Sequence, residues 1–319
     1  MNSDTRRSLS RRAFLRGMGA GAAALIAAQL LHVQTAGASG PAAIPHWGML
    51  IDLTRCVGCN SCALACAEVN HQSTSDVPPS ALTPVSYTFV EEFPLAVRGD
   101  PSGDEAESRF VKRQCMHCLH AACVAACPAA AMHKSAEGPV LYRPERCLGC
   151  RYCQAACPFG VPCFDWDNPL TPVISKCWFC HERLAEGDKP ACVAACPTGA
   201  LRFGKRDDLL AQAHAQIASA PDRYINHIFG EHEVGGTSVL YLSDIPFDEL
   251  GFPTNLPSQA LTEGTEQVMG LLPGVILGAA AVVTGAATLT NRREKARAAA
   301  KAHDPETDAQ PSATQDKEA

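Results

Sequence analysis

The sequence lacks several features that mark common classes of enzyme. Only 6% of its 319 residues are aromatic, so a large aromatic core is not expected. It contains no G-x-G-x-x-G and no G-x-S-x-G motif, which argues against a dinucleotide-binding unit and against an α/β-hydrolase nucleophile. The formal net charge is only −6, and this mildly acidic balance argues against nucleic acid as a partner.

Cysteine, in contrast, is abundant and ordered. Sixteen of the 17 cysteines form four motifs. The motifs are Cys56, Cys59, Cys62, Cys66; Cys115, Cys118, Cys123, Cys127; Cys147, Cys150, Cys153, Cys157; and Cys177, Cys180, Cys192, Cys196. Motifs one and three have the C-x2-C-x2-C-x3-C spacing of bacterial ferredoxins, and motifs two and four widen the middle gap. Structural zinc does not require this repeated pattern, so the sequence predicts four [4Fe-4S] clusters.

The fourth cysteine of such a motif binds the neighbouring cluster, so the motifs work in pairs. Strands at residues 129–134 and 140–142 around a turn predict a ferredoxin-type hairpin between motifs two and three. The segment between motifs three and four is predicted to be a loop and to lack a ferredoxin-type hairpin. Motifs one and four are then left to pair, with residues 49–53 and 200–203 as adjacent strands. The predicted ligands are Cys56, Cys59, Cys62, Cys196 for cluster 1; Cys177, Cys180, Cys192, Cys66 for cluster 2; Cys115, Cys118, Cys123, Cys157 for cluster 3; and Cys147, Cys150, Cys153, Cys127 for cluster 4.

The N-terminus has the pattern of an export signal. Arg11 and Arg12 precede an uncharged, alanine- and glycine-rich stretch at residues 17–31, and small residues follow at 36–38. This pattern predicts a twin-arginine signal peptide over residues 1–38. An uncleaved membrane anchor is the alternative, but polar residues in the stretch argue against it. The twin-arginine machinery exports folded proteins, so clusters can be inserted before export.

A second apolar segment lies near the C-terminus. Residues 268–290 carry no charge and measure about 35 Å as a helix, enough to cross a bilayer. Arg292 and Arg293 follow directly, so the positive-inside rule places residues 291–319 in the cytoplasm. The composition of this tail predicts disorder. The sequence therefore predicts a single-pass protein of the cell inner membrane, with its cluster domain in the periplasm.

These features predict an α+β fold with two nested bacterial ferredoxin-like units, each binding two clusters, and one C-terminal transmembrane helix. The four-cluster domain is expected at residues 45–205, with an insertion at about 70–107. A small cap is expected at 206–252, beginning with a helix at about 206–217. A linker at 253–266 then leads to the transmembrane helix.

The four motifs in this order resemble the four-cluster electron-transfer subunits of molybdopterin oxidoreductases and membrane-bound [NiFe] hydrogenases. The resemblance is greatest to the iron–sulfur subunit of the periplasmic uptake hydrogenase of the second type, over residues 48–52, 114–118, 147–153 and 235–240. It implies a subunit without a catalytic site of its own. Electrons would pass from catalytic hydrogenase subunits, through four clusters, to a multi-span membrane subunit that reduces quinone.

Two alternatives remain open at this point. The eleven-residue gap between Cys180 and Cys192 is similar to that of the formate dehydrogenase beta subunit, for which a molybdopterin subunit would be the partner. An exported, free-standing polyferredoxin carrier is the second alternative. The remaining cysteine, Cys163, is predicted to be a buried or free thiol rather than a ligand.

Overall fold

The computed structural model describes residues 46–72, 77–95, 108–167 and 174–301. The predicted signal peptide, parts of the predicted insertion and residues 302–319 of the predicted tail lie outside the described residues. The described chain belongs to two units, a body that ends at Gly264 and a C-terminal helix. Each unit is described by itself.

The body combines short strands and helices, which confirms the predicted mixture of helix and sheet. Its strands are β1 (Trp47–Asp52), β2 (Phe89–Pro94), β3 (Ser108–Arg113), β4 (Met132–Lys134), β5 (Val140–Tyr142), β6 (Cys163–Phe164), β7 (Ile174–Ser175), β8 (Leu201–Lys205) and β9 (Val239–Leu242). Its α-helices are α1 (Ser61–Val69), α2 (Ala122–Ala125), α3 (Tyr152–Ala156), α4 (His181–Ala185), α5 (Ala191–Ala194) and α6 (Arg206–Ser219), and the C-terminal helix is α7 (Glu263–Lys301).

A three-stranded sheet with the order β8-β1-β9 organises the body. Strands β1 and β8 are antiparallel, with Met49 opposite Phe203 and Ile51 opposite Leu201, which confirms the predicted adjacency of residues 49–53 and 200–203. Strand β9 pairs with β1 in parallel. Because motif one follows β1 and motif four precedes β8, this antiparallel pairing brings the two motifs to the same end of the sheet.

The two faces of this sheet pack against different partners, because successive side chains of a strand point to opposite faces. Met49 and Ile51 belong to a buried core that also contains Cys62 and Cys192. Leu50 belongs to a second core formed with helix α6. One face of the sheet therefore supports the cysteine motifs, and the other is covered by α6, a helix that confirms the one predicted at about residue 206.

A buried carboxylate fixes the end of β1. Asp52 is fully buried and accepts hydrogen bonds from Gln216 Nε2 at 2.7 Å, Tyr224 OH at 3.0 Å and Thr54 Oγ1 at 2.7 Å. Buried charged groups are tolerated only when they are bonded in this way. The network anchors the backbone four residues before Cys56, where motif one begins.

The hairpin predicted between motifs two and three is confirmed, with Met132 opposite Tyr142 in the β4–β5 pair. Strand β4 starts later than predicted, because Ala130 has φ of +50° and interrupts the extended backbone. The prediction of a loop without a hairpin between motifs three and four was wrong. Strands β6 and β7 form an antiparallel pair there, with Cys163 opposite Ser175.

Helix α7 includes residues 268–290, which the sequence predicts to span a membrane. Among the described residues, α7 alone is long and apolar enough to do so, by length and composition. Its apolar side chains are exposed, as at Val275 and Val282. A helix whose apolar surface is left uncovered in water would be costly, so these side chains are suited to a lipid environment.

Candidate metal centres

The backbone of the cysteine motifs turns sharply around the first two cysteines. The residue before the second cysteine has positive φ in all four motifs, namely Gly58 at +70°, His117 at +47°, Gly149 at +67° and Phe179 at +60°. Backbone N–H groups in two of these turns point at sulfur, with 3.4 Å from Gly149 N to Cys147 Sγ and from Phe179 N to Cys177 Sγ. Donors aimed at sulfur favour the thiolate, which is the form that binds metal.

One cavity of the body is lined by four cysteines from two distant motifs. They are Cys66 of motif one and Cys177, Cys180 and Cys192 of motif four. The β1–β8 pairing explains why motifs so far apart in sequence share one cavity. The same four cysteines are those that the sequence predicts as the ligands of cluster 2.

A second cavity is lined by Cys127 of motif two and by Cys147, Cys150 and Cys153 of motif three. The β4–β5 hairpin lies between these motifs and holds them together. These cysteines are the ligands predicted for cluster 4. The two cavities thus provide an internal space with four sulfur donors each, which fits the chemistry of an all-cysteine [4Fe-4S] cluster.

The ligands predicted for cluster 1 also lie close together. Burial raises the pKa of Cys62, and the negative charges of Cys56, Cys59 and Cys196 raise it further. Cys196 likewise contributes to the raised pKa of Cys56, for which burial is again the main cause. A cysteine of motif four therefore lies beside the first three cysteines of motif one.

The ligands predicted for cluster 3 also combine three cysteines of one motif with the fourth cysteine of another. Burial raises the pKa of Cys118 well above its usual value, and the charges of Cys115, Cys157 and Cys123 add to the rise. Cys157 belongs to motif three and the others to motif two. Buried thiols of this kind lose their protons when metal is bound, so cluster insertion is expected to be coupled to proton release.

Among the described residues, no three His, Cys, Asp or Glu side chains converge closely enough to hold one metal ion. The preference for iron–sulfur clusters over zinc rests on the spacing of the cysteines within the motifs.

Cysteines of groups 1 and 2, of groups 2 and 3, and of groups 3 and 4 affect one another's pKa values. Burial is the main cause of the raised pKa of Cys66, Cys177 and Cys123, and a cysteine of the adjacent group adds to each rise. The contributing charges are those of Cys62, Cys115 and Cys153, respectively. Only Cys59 and Cys150 are exposed, and they belong to the first and last groups.

Sequence reasoning missed one residue of these sites. Lys112 is fully buried on β3 and lines the cavity of Cys66, Cys177, Cys180 and Cys192. The motifs give no signal for it, because a lysine in a short strand ordinarily faces solvent. To predict Lys112 from the sequence, one would have to know which face of β3 is turned toward the interior.

The odd cysteine is set apart from the four groups. The thiol of Cys163 donates to the carbonyl oxygen of Val161 at 3.5 Å, and burial raises its pKa without a contribution from another cysteine. It lies in the short strand β6, beyond the end of motif three. Its position agrees with the expectation that it is not a ligand.

Comparison with known proteins agrees with this site. Residues 106–206 match the family model of the 4Fe-4S dicluster domain. A protein of Nitratidesulfovibrio vulgaris strain Hildenborough is 39% identical over 300 residues, which cover 90% of this chain and 78% of that protein. The hydrogenase-2 operon protein HybA of Escherichia coli O157:H7 is 32% identical over 322 residues, covering 90% of this chain and 96% of HybA.

The iron–sulfur subunit of formate dehydrogenase-O from Escherichia coli K12 is 34% identical over 224 residues, covering 65% of this chain and 70% of that subunit. The cysteine motifs, the cavities they line and these relatives all indicate [4Fe-4S] clusters and electron transfer. The chain therefore belongs to the family of 4Fe-4S electron-transfer subunits that includes HybA and the formate dehydrogenase iron–sulfur subunits.

Proposed function

We propose that the chain is the electron-transfer subunit of a membrane-bound periplasmic [NiFe] hydrogenase complex. It would pass electrons from H2 oxidation through four [4Fe-4S] clusters to a quinone-reacting integral membrane subunit. The observation that carries this proposal is the match to HybA, which extends over 90% of this chain and 96% of HybA. The match to the formate dehydrogenase-O subunit covers 65% of this chain, so the hydrogenase assignment accounts for more of the sequence.

The proposed ligand sets are the crossed ones predicted from the motifs. The two cavities support clusters 2 and 4, and the mutual charge effects among cysteines support clusters 1 and 3. The nested arrangement of two ferredoxin-like units follows from these sets, because motifs two and three form the inner pair and motifs one and four the outer pair. The outer pair is supported by the β1–β8 pairing.

The proposed role is conduction rather than catalysis. Each cluster accepts and releases one electron, and an iron held by cysteine at every corner of the cluster has no need to bind a substrate. The exposure of Cys59 and Cys150 supports an electron path that starts at one end of the cluster series and leaves at the other. Adjacent clusters would then exchange electrons in the order 1, 2, 3 and 4 or in its reverse.

The partners can be identified by mass spectrometry of the complex, solubilised from membranes without oxygen in mild detergent. We expect a pair of [NiFe] hydrogenase subunits and a multi-span membrane protein. A molybdopterin subunit in their place would support the formate dehydrogenase alternative, which the gap between Cys180 and Cys192 favours. Recovery of the chain without partners would contradict both assignments and favour a free-standing carrier.

We further propose that residues 1–38 are a twin-arginine signal, that the body is periplasmic and that residues 268–290 anchor it in the inner membrane. A chain with an epitope tag after Ala319 tests this topology by proteolysis of spheroplasts. External protease is expected to destroy the body but to leave a short tagged fragment, because the tag is cytoplasmic. Loss of the tag in intact spheroplasts would contradict the orientation, and lysed spheroplasts provide the control.

A further inference from the structure

Lys112 occupies an unusual position for a lysine. Its side chain is fully buried, and its Nζ donates to Thr88 Oγ1 at 2.8 Å and to Gln114 Oε1. Both partners are neutral. An ammonium group removed from water is costly unless an opposite charge compensates it, so these two hydrogen bonds do not by themselves account for its burial.

The compensating charges are cysteine thiolates. In the part of the chain that the structure describes, no carboxylate hydrogen-bonds to Lys112. Lys112 lines one cavity with Cys66, Cys177, Cys180 and Cys192, and a cluster held by four thiolates carries net negative charge. The ammonium group would therefore be compensated by the cluster beside it.

Lys112 lies beside cluster 2. It lines the cavity of that cluster together with Cys66, Cys177, Cys180 and Cys192, and its charge opposes the burial-driven rise in the pKa of all four cysteines. A second buried lysine, Lys176, does not line this cavity and acts in the same direction on Cys123 of cluster 3.

We propose that Lys112 is a fixed buried cation that raises the reduction potential of cluster 2. The proposal rests on the ligand sets proposed above. Reduction adds one electron to a cluster and makes it more negative, so a nearby cation stabilises the reduced form. The net charge around a cluster is one of the factors that set its potential, and the attraction is strong where water is excluded.

Such a cation changes the energy of one step of the electron path. Electrons would be held more tightly on cluster 2 than they would be without Lys112. Lys112 supplies a positive charge near the cluster and is not a ligand of it. Its Nζ donates hydrogen bonds to a hydroxyl oxygen and an amide oxygen. Its effect is therefore expected on potentials and not on the number of clusters.

The test is a redox titration, followed by electron paramagnetic resonance, of the complex purified with Lys112→Met. Methionine keeps much of the length of the side chain and removes its charge. One of the four potentials is expected to fall more than the others, by at least tenfold in the reduction equilibrium constant, or about 59 mV for one electron. Lys205→Met, at an exposed lysine at the end of β8, should leave all four potentials unchanged.

Unchanged potentials in an iron-replete Lys112→Met complex, or an equal fall in all four, would overturn the proposal. Iron content and spectra of the unmodified complex test the ligand sets separately, since fewer than four clusters there would defeat the proposed function itself. If Lys112→Met loses iron, Lys112→Gln and Lys112→Arg are compared. Retention of iron only by the arginine variant supports a role of charge, whereas equal loss in all three variants contradicts it.

Discussion

Replacing Cys66 and Cys180 together by alanine is expected to remove one cluster, about 4 of about 16 iron atoms per chain. Replacing Cys66 and Cys59 together is expected to remove two clusters, about 8 iron atoms. The reason is that Cys66 lines the same cavity as Cys180, whereas Cys59 lies with the ligands of cluster 1. Iron analysis of the two purified double variants, with counting of reducible clusters by electron paramagnetic resonance, measures the difference.

This experiment separates the crossed ligand sets from linear ones. If each motif held its own cluster, Cys59 and Cys66 would share a cluster, and the iron losses of the two double variants would be reversed. Cys163→Ala is the matched control, because its thiol bonds to the backbone and does not line either cavity. That variant is expected to keep all of its iron, and a loss there would contradict its exclusion from the ligands.

Removal of the clusters is expected to unfold the body. Cys62 and Cys192 belong to the main buried core, and eight of the sixteen ligands line the two cavities. In small metal-binding domains the free energy of metal binding is largely the free energy of folding. A typical domain has only about 5–15 kcal/mol of stability, so the loss of four clusters should abolish the cooperative thermal transition of the body.

The measurement is circular dichroism during heating, before and after anaerobic removal of iron with oxidant and chelator, followed by addition of a thiol reductant. Chelator without oxidant is the control and should leave the transition in place. Helix α7 has no cysteine, so part of the helical signal is expected to persist in detergent. A cooperative transition of unchanged midpoint in the iron-free chain would show that the protein core alone stabilises the body.

Part of the architecture was predictable because ligand chemistry restricts the sequence. The β4–β5 hairpin between motifs two and three was confirmed, as was the adjacency of residues 49–53 and 200–203. The hairpin follows from the local pattern of strand, turn and strand, and the adjacency follows from the rule that motifs work in pairs, which leaves motifs one and four together. Strands β6 and β7 were missed, because strands of two residues have no periodic pattern to recognise.

The sequence by itself determined the kind of cofactor, the sixteen candidate ligands and the apolar segment near the C-terminus. Cysteine spacing and an uncharged stretch are local properties that need no knowledge of distant contacts. Only the tertiary structure decided that β9 joins β1 in the central sheet and that Lys112 is turned inward beside cysteines of motifs one and four, which are far from it in sequence. Strand pairing and burial depend on contacts between residues far apart in sequence, and such contacts form only when the whole body is folded.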